Sequence, residues 1–389
     1  MKIKIEKEPF IKSWNLAEKS AGTSGSMNIF STIRLRANEE VIDLQATDIK
    51  TSIICDAKGV TVIEPGEAII PIKGVGDLFK KAGSQEFTLQ IEDGRAVMIS
   101  GKNRYRFSTY PVEEFPKLPS ASGGEVFCSV LVSELSCAIE MGTLCASVND
   151  EYPQYLSSAY FSVEEGGLRV VSTDNKRLSI RNVEIVEGED GRSLLLPMKG
   201  VKELQRILGM IDPEVVIRIL YDDSQVYFTA EGLEFAIRRV ESKFPVYSRI
   251  LPTSFETVFT IDRTDLISAL DRVDVVVRDY NRIAVLRLSR DESCTLSGRA
   301  PEFGEAVEDL VGEVDGSSVN IGVSTRFLYE AVKVLSEPKV TLSFNGSMGH
   351  IAVKAPGSDS FLCLVAPVEI ALDEESEESS EFKTKGDAF

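Results

Sequence analysis

A single histidine, His350, and a single tryptophan, Trp14, stand among the 389 residues. Nucleophile–histidine–acid catalysis or a histidine-based metal site would have to rest on His350 alone, and neither is expected. The six cysteines (Cys55, Cys128, Cys137, Cys145, Cys294, Cys363) are scattered, with no C-x-x-C pair and no zinc spacing, so they read as small buried side chains. No apolar run reaches membrane-spanning length, and the opening Met1-Lys-Ile-Lys-Ile-Glu-Lys7 alternates charged and β-branched residues where a signal peptide has an apolar core. These absences predict a cytoplasmic protein with no metal, cofactor or membrane partner. Positive charge is also short: the formal net charge is −18. A sum does not locate charge, however, and phosphate binding depends on where the cations lie. The stretch 373–389 alone carries seven acids and two lysines.

What is present is an internal repeat. Ile69-Ile70-Pro71-Ile72-Lys73-Gly74-Val75 returns as Leu195-Leu196-Pro197-Met198-Lys199-Gly200-Val201, 126 residues later, and more weakly as Asn320-Ile-Gly-Val-Ser-Thr-Arg326-Phe327. Ala46-Thr47-Asp48-Ile49-Lys50 matches Ser172-Thr173-Asp174-Asn175-Lys176 at the same spacing, and Phe115-Pro116 is echoed by Phe244-Pro245. The period is too long for a solenoid and close to the common size of a domain. It predicts three copies of one domain, at 1–122, 123–252 and 253–372, followed by a low-complexity acidic tail, 373–389, that reads as disordered.

Each copy predicts an early helix (9–21, 132–144, 263–276), short alternating strands such as 168–172 and 257–261, a second helix (75–82, 201–208, 327–335) and further strands. Asp93-Gly94 and Asn345-Gly346 read as turns between strands. Two helices over antiparallel strands make an α+β domain. On the second helix of the middle copy Lys199, Lys202 and Arg206 share one face, while Val201, Leu204 and Leu208 share the other. Lys12 and Lys19 form a stripe on the first helix, Lys80 and Lys81 crown its partner, and Arg326 and Lys333 lie seven apart in the third copy. A solvated face is the ordinary explanation for any one of these. Their recurrence in an acidic chain predicts instead a concave wall that grips phosphates without reading bases.

Thr-Asp-x-x-Arg-Leu at 173–178, Leu-Pro-x-Lys-Gly-Val at 196–201 and Phe-Pro-x-Tyr-x-Arg-Ile-Leu-Pro at 244–252, in register within a triplicated chain, resemble the β subunit of bacterial DNA polymerase III. The likeness runs from Met1 to about residue 370. It implies the DNA clamp fold, a head-to-tail homodimeric ring that encircles double-stranded DNA without sequence preference. The resemblance implies no catalytic residues. It implies partners that include the polymerase III catalytic subunit, the clamp loader, and other polymerases and mismatch-repair proteins, which dock through short linear motifs. Carried over by position, the peptide pocket between the second and third domains takes Leu156, Thr173, Asn175, Lys176, Arg177, Leu178, Pro245, Arg249, Ile250, Phe327, His350, Leu364, Val365, Ala366, Pro367 and Val368. Asn175-Lys176 stands where the family often has Gly-His, and Ala366 where it has methionine, so peptide preference is expected to differ. For the dimer seam the resemblance pairs the edge strand 102–109 with a third-domain strand from about Ser297. Lys73, Arg95 and Lys102 then face Glu302, Glu305 and Glu308, around an apolar centre of Tyr105, Phe107, Val275 and Val276.

Two other readings are open to the residues. An enzyme would need Thr47-Asp48 and Thr173-Asp174 as carboxylate chemistry, but their repetition predicts local turn hydrogen bonding instead. Ser100-Gly101-Lys102 lacks the glycine-rich lead of a phosphate loop and predicts a hairpin turn. A peptide-binding scaffold that never encircles DNA shares the pocket but needs no basic wall.

Overall fold

The computed structural model describes residues 1–22, 29–92, 94–147, 149 and 152–369; the acidic tail and Asp93 lie outside the described residues. Six α-helices are described: α1 (Lys7–Ala17), α2 (Val75–Lys81), α3 (Val132–Gly142), α4 (Met198–Leu208), α5 (Arg263–Val277) and α6 (Thr325–Lys333). Most bounds fall close to the periodicity, with two differences. Helix α1 starts two residues before Pro9, which sits in the first turn where its missing N–H costs nothing, and ends at Ala17 in a 3₁₀ turn, Glu18–Ser20. Helix α4 starts at Met198, three residues earlier than the apolar period suggests, because the strand Ser193–Pro197 runs directly into it.

By contact the chain forms two compact units, Met1–Arg249 with Asp359–Leu362, and Ile250–Ser358 with the segment from Cys363. The first unit holds an antiparallel five-stranded sheet in the order Val60–Glu64, Lys2–Glu6, Glu86–Glu92, Arg95–Ser100, Asn103–Ser108. Gly101 turns the last hairpin at φ +60°, as expected of Ser100-Gly101-Lys102. A nine-stranded sheet joins the first two repeats. Five of its strands come from the second (Glu187–Gly188, Glu125–Leu131, Val216–Tyr221, Gln225–Ala230, Leu233–Arg238) and four from the first (Thr51–Asp56, Ile42–Thr47, Thr32–Ala37, Gly66–Pro71). The joint is the antiparallel pair Leu233–Arg238 and Thr51–Asp56, with Leu233 opposite Cys55 and Phe235 opposite Ile53. Ser193–Pro197, Ser158–Glu164, Gly167–Thr173 and Arg177–Glu184 lie side by side in the same unit.

The second unit repeats the plan. One set of strands contains Ile351–Lys354, Lys339–Phe344, Thr257–Asp262 and Gly312–Gly316, with Cys363–Val365 pairing Ile351–Val353. A four-stranded sheet runs Gly304–Leu310, Cys294–Ala300, Ile283–Leu288, Val319–Ser324. Ser297 therefore lies on an interior strand, flanked on both sides. The strand expected at the seam, from about Ser297, is thus not at a sheet edge; the strand after it, Gly304–Leu310, is one of the two edges of this sheet. Asn345-Gly346 opens a longer loop rather than a two-residue turn, because the Asn345 side chain is used elsewhere: Nδ2 donates to Ser254 O and Oδ1 accepts from Glu256 N–H.

Helices pack in pairs on the sheets by their apolar faces, as strand alternation and helical period require. In the first repeat Phe10 and Trp14 of α1 meet Phe79 of α2 edge-on at 5.5 and 5.0 Å, and Phe79 stacks on Phe87. The buried Trp14 Nε1–H is satisfied by Glu18 Oε1 at 2.6 Å.

Candidate functional site

The Thr-Asp motif builds the same turn twice. Thr47 Oγ1 donates to Thr51 O and accepts from Ile49 N–H, while Asp48 Oδ1 accepts from Lys50 and Thr51 N–H. In the second copy Thr173 Oγ1 donates to Arg177 O and accepts from Asn175 N–H, and Asp174 Oδ1 accepts from Lys176 and Arg177 N–H. Ile49 and Asn175 both take positive φ, 77° and 67°. Each carboxylate is occupied by its own turn, which is a structural role. Arg177, buried in the second copy, adds an ion pair to Asp174 at 3.0 Å.

The residues assigned to peptide binding divide between the units. In the first, Thr173 and Arg177 are buried in this turn and Asn175 and Lys176 project from it. Leu156 and Leu178 are buried; Pro245 and Arg249 are exposed on the segment after Phe244. That segment is held by rings: Phe244 stacks on Tyr160 at 4.9 Å, and Tyr155 and Tyr247 meet Phe244 edge-on. In the second unit Leu364 and Val365 are wholly buried, while Ala366, Pro367, Val368 and Phe327 are half-buried and His350 is exposed. Val368 N–H donates to Gly322 O at 2.9 Å, and Ile250 is 47% exposed. Of the large apolar residues in this set, Ile250 is the exposed one, while Leu156, Leu178, Leu364 and Val365 are each buried within their own unit.

The basic residues lie where amphipathicity puts them, exposed on the faces opposite the buried apolar residues, with Lys19 half-buried. Several are partly neutralised. Lys80 pairs with Glu18 at 3.3 Å, Lys199 with Asp48 at 3.0 Å, Arg206 with Glu203 and Arg326 with Glu330; Lys333 lies over the Tyr329 ring. Lys12, Lys81 and Lys202 are exposed, with no ion pair among the described residues.

The strand Asn103–Ser108 carries charge on alternate residues, whereas Gly304–Leu310 carries Glu305, Glu308 and Asp309. Asn103–Ser108 exposes Arg104 and Arg106 and half-buries Tyr105 and Phe107; Gly304–Leu310 exposes Glu305 and Val307. Lys73, Arg95, Lys102 and Glu302 are exposed nearby in sequence, and Val275 is 46% exposed beside half-buried Val276. Glu308 is already bound by Arg272 of its own chain through two bonds, 2.9 and 2.7 Å, and this partner holds its carboxyl below the usual range. Arg104 and Arg106 escaped the sequence reading, although the alternation Asn-Arg-Tyr-Arg-Phe marks them. The Arg272–Glu308 pair had no such signal, because its members are 36 residues apart.

Burial pushes the Cys55 and Cys128 thiols up to about 12. Among the described residues there is no cluster of His, Cys, Asp and Glu that would hold a metal ion, and no helix long and apolar enough to cross a membrane.

Three family models match in succession: DNA polymerase III beta subunit, N-terminal domain over residues 1–119, central domain over 130–246 and C-terminal domain over 248–369. The chain is 25% identical over 377 residues to the beta sliding clamp of Staphylococcus aureus (strain Mu50 / ATCC 700699), covering 95% of this chain and 99% of the relative. It is 24% identical over 379 residues to that of Bacillus subtilis (strain 168), with the same coverage. Among solved structures, the DNA polymerase sliding clamp from Bacillus subtilis and the DNA polymerase III subunit beta from Pseudomonas aeruginosa match with TM-scores of 0.88 and 0.89. Each is 23% identical and covers 95% of this chain and 100% of its own.

Proposed function

The chain belongs to the DNA polymerase III beta subunit family, and from that membership we propose that two copies close head to tail around duplex DNA. Its role is that of a sliding clamp, a non-catalytic processivity subunit. We assign its domains to 1–122, 123–252 and 253–372.

One observation carries the ring: the joint between the first two repeats supplies a template for a joint between chains. In the nine-stranded sheet, five strands of one repeat meet four of another. Each chain also holds an unjoined five-stranded sheet ending at Asn103–Ser108 and an unjoined four-stranded sheet ending at Gly304–Leu310. The hairpin Arg95–Ser108 matches the hairpin Gln225–Arg238 residue for residue in register. Transferring the observed joint sets Arg106 opposite Glu305 of the partner subunit, Tyr105 opposite the partner's Ala306 and Phe107 opposite the partner's Gly304. Lys73 occupies the place of Lys199, and the turn holding Glu302 that of Asp48, so their 3.0 Å ion pair supplies the model for a Lys73–Glu302 contact. Exposed sheet edges are aggregation-prone, and mutual pairing removes both. A head-to-tail contact that closes after two copies gives a finite ring.

We assign Lys12, Lys19, Lys80, Lys81, Lys199, Lys202, Arg206, Arg326 and Lys333 to the DNA side, where they bind phosphate and not base edges. The residues around Thr173–Leu178, Pro245–Ile250, Phe327, His350 and Leu364–Val368 are assigned to short linear motifs of polymerases, the clamp loader and repair proteins. A few buried anchors would carry most of that affinity.

The test is topological. Clamp loaded on nicked circular DNA is expected to survive a high-salt wash and to leave once the circle is cut. Loss in salt from circle and linear DNA alike would reduce the protein to an electrostatic binder. Lys199→Glu, Lys202→Glu and Arg206→Glu together are expected to weaken DNA loading or sliding while sparing peptide binding.

A further inference from the structure

The joint between the first two repeats also contains a cleft of about 630 Å³ that none of the assignments above uses. Its lining includes Lys50, Arg238 and Arg239, with Glu241 as the one carboxylate, together with Tyr152, Gln154 and Ser157. The cations are brought together by the sheet joint itself. Arg238 N–H donates to Lys50 O at 2.9 Å, so the two side chains leave the backbone as neighbours. Both are exposed, and neither has an ion pair among the described residues. Arg239 is half-buried and fixed by its Nη1–H to Asp222 O at 3.2 Å. Tyr152 is 92% exposed.

The same framework recurs in the third repeat. Val240 N–H donates to Leu195 O and Val368 N–H to Gly322 O, both at 2.9 Å, so the two exit segments are equivalent residue by residue. Arg238-Arg239 thus stands where the third repeat has Ala366-Pro367. One exit segment is apolar, and the other has been converted to guanidinium charge. Two adjacent unpaired cations with a third close by cost free energy through mutual repulsion, and a bound polyanion would relieve it. The exposed phenol ring of Tyr152 in the same lining adds a flat surface on which an unpaired base can stack, which a duplex would not use.

We propose that this cleft binds single-stranded DNA, with phosphates on Lys50, Arg238 and Arg239 and a base on Tyr152. The site rests on the clamp reading only in that a clamp works where duplex meets single strand; binding itself needs no loading.

The experiment is fluorescence anisotropy of a labelled oligothymidylate with the full-length protein. Three phosphate contacts at about 0.7 each give a log–log salt slope of roughly −2. Lys50→Glu with Arg238→Glu is expected to weaken binding at least tenfold and bring the slope toward about −0.7. Tyr152→Ala is expected to cost about tenfold for oligothymidylate, a typical single-base stacking loss, and to leave inorganic tripolyphosphate affinity unchanged. Lys339→Glu, outside the cleft and outside the residues assigned to DNA, should change nothing. Unaltered oligothymidylate affinity in the double variant, or in Tyr152→Ala, overturns the proposal. So does equal affinity for a polyglutamate peptide of the same charge. These variants should keep retention on circular DNA; wild-type protein that binds oligothymidylate in the cleft but is not retained would overturn the ring and leave this site standing.

Discussion

Lys199 Nζ lies 3.0 Å from Asp48 Oδ2, tying the first turn of α4 to the turn after Ile42–Thr47. Burial raises the Asp48 carboxyl, but the bonds from Lys199 and from Thr51 outweigh it, and its pKa falls below the ordinary value. A depressed carboxylate contributes stability that is complete above its unfolded pKa, about 3.9, and is lost as pH drops through the folded value. Lys199→Ala should therefore lower the urea midpoint at pH 7 and make no difference near pH 2. Lys199 is well exposed, so the effect at pH 7 should stay below about 1 kcal/mol. An equal loss at both pH values would mean that Lys199 acts by packing and not by charge.

The transferred register makes the seam testable by charge exchange. Arg106→Glu should weaken the dimer at least tenfold in sedimentation equilibrium, and Arg106→Glu combined with Glu305→Arg should restore much of it. Glu308→Gln should matter less to the dimer, because Arg272 of the same chain already holds that carboxylate. If the double exchange binds no better than the single variant, the register is wrong.

For the peptide site, the informative substitution is at the exposed surface. Leu364 and Val365 are fully buried, so truncating either would cost about 2–5 kcal/mol of stability and confound any binding result. Ile250→Asp removes an exposed apolar anchor instead. Titration with a polymerase-derived peptide should show at least a tenfold loss, with the dimer unchanged. Retained affinity would remove Ile250 from the site.

Burial also makes a chemical prediction. With their pKa pushed up to about 12, Cys55 and Cys128 hold almost no thiolate at pH 8 and should resist a thiol reagent in the native protein. In denaturant all six cysteines should react. Rapid native labelling of Cys55 or Cys128, located by mass spectrometry, would show that the sheets open locally.

Much of this protein was legible before any coordinates. Helix faces follow from a 3.6-residue period, which puts Lys199, Lys202 and Arg206 opposite Val201, Leu204 and Leu208 whatever surrounds them. The twin turns at Thr47 and Thr173 follow from short-range hydrogen bonding, which needs only five residues. The repeat is written in the chain as recurring motifs.

Other features depended on which segments met. That Gly304–Leu310 is an edge strand and Ser297 sits on an interior one is set by sheet order, which alternation along a single strand does not encode. That Arg272 takes Glu308 requires helix α5 to pack on a strand 36 positions away, and that Lys50 lands beside Arg238 requires the pairing of two distant strands. Local chemistry is determined by neighbours in sequence, so one chain suffices to read it. Long-range juxtaposition is determined by the packing that minimises exposed apolar surface and unpaired backbone, a property of the whole fold.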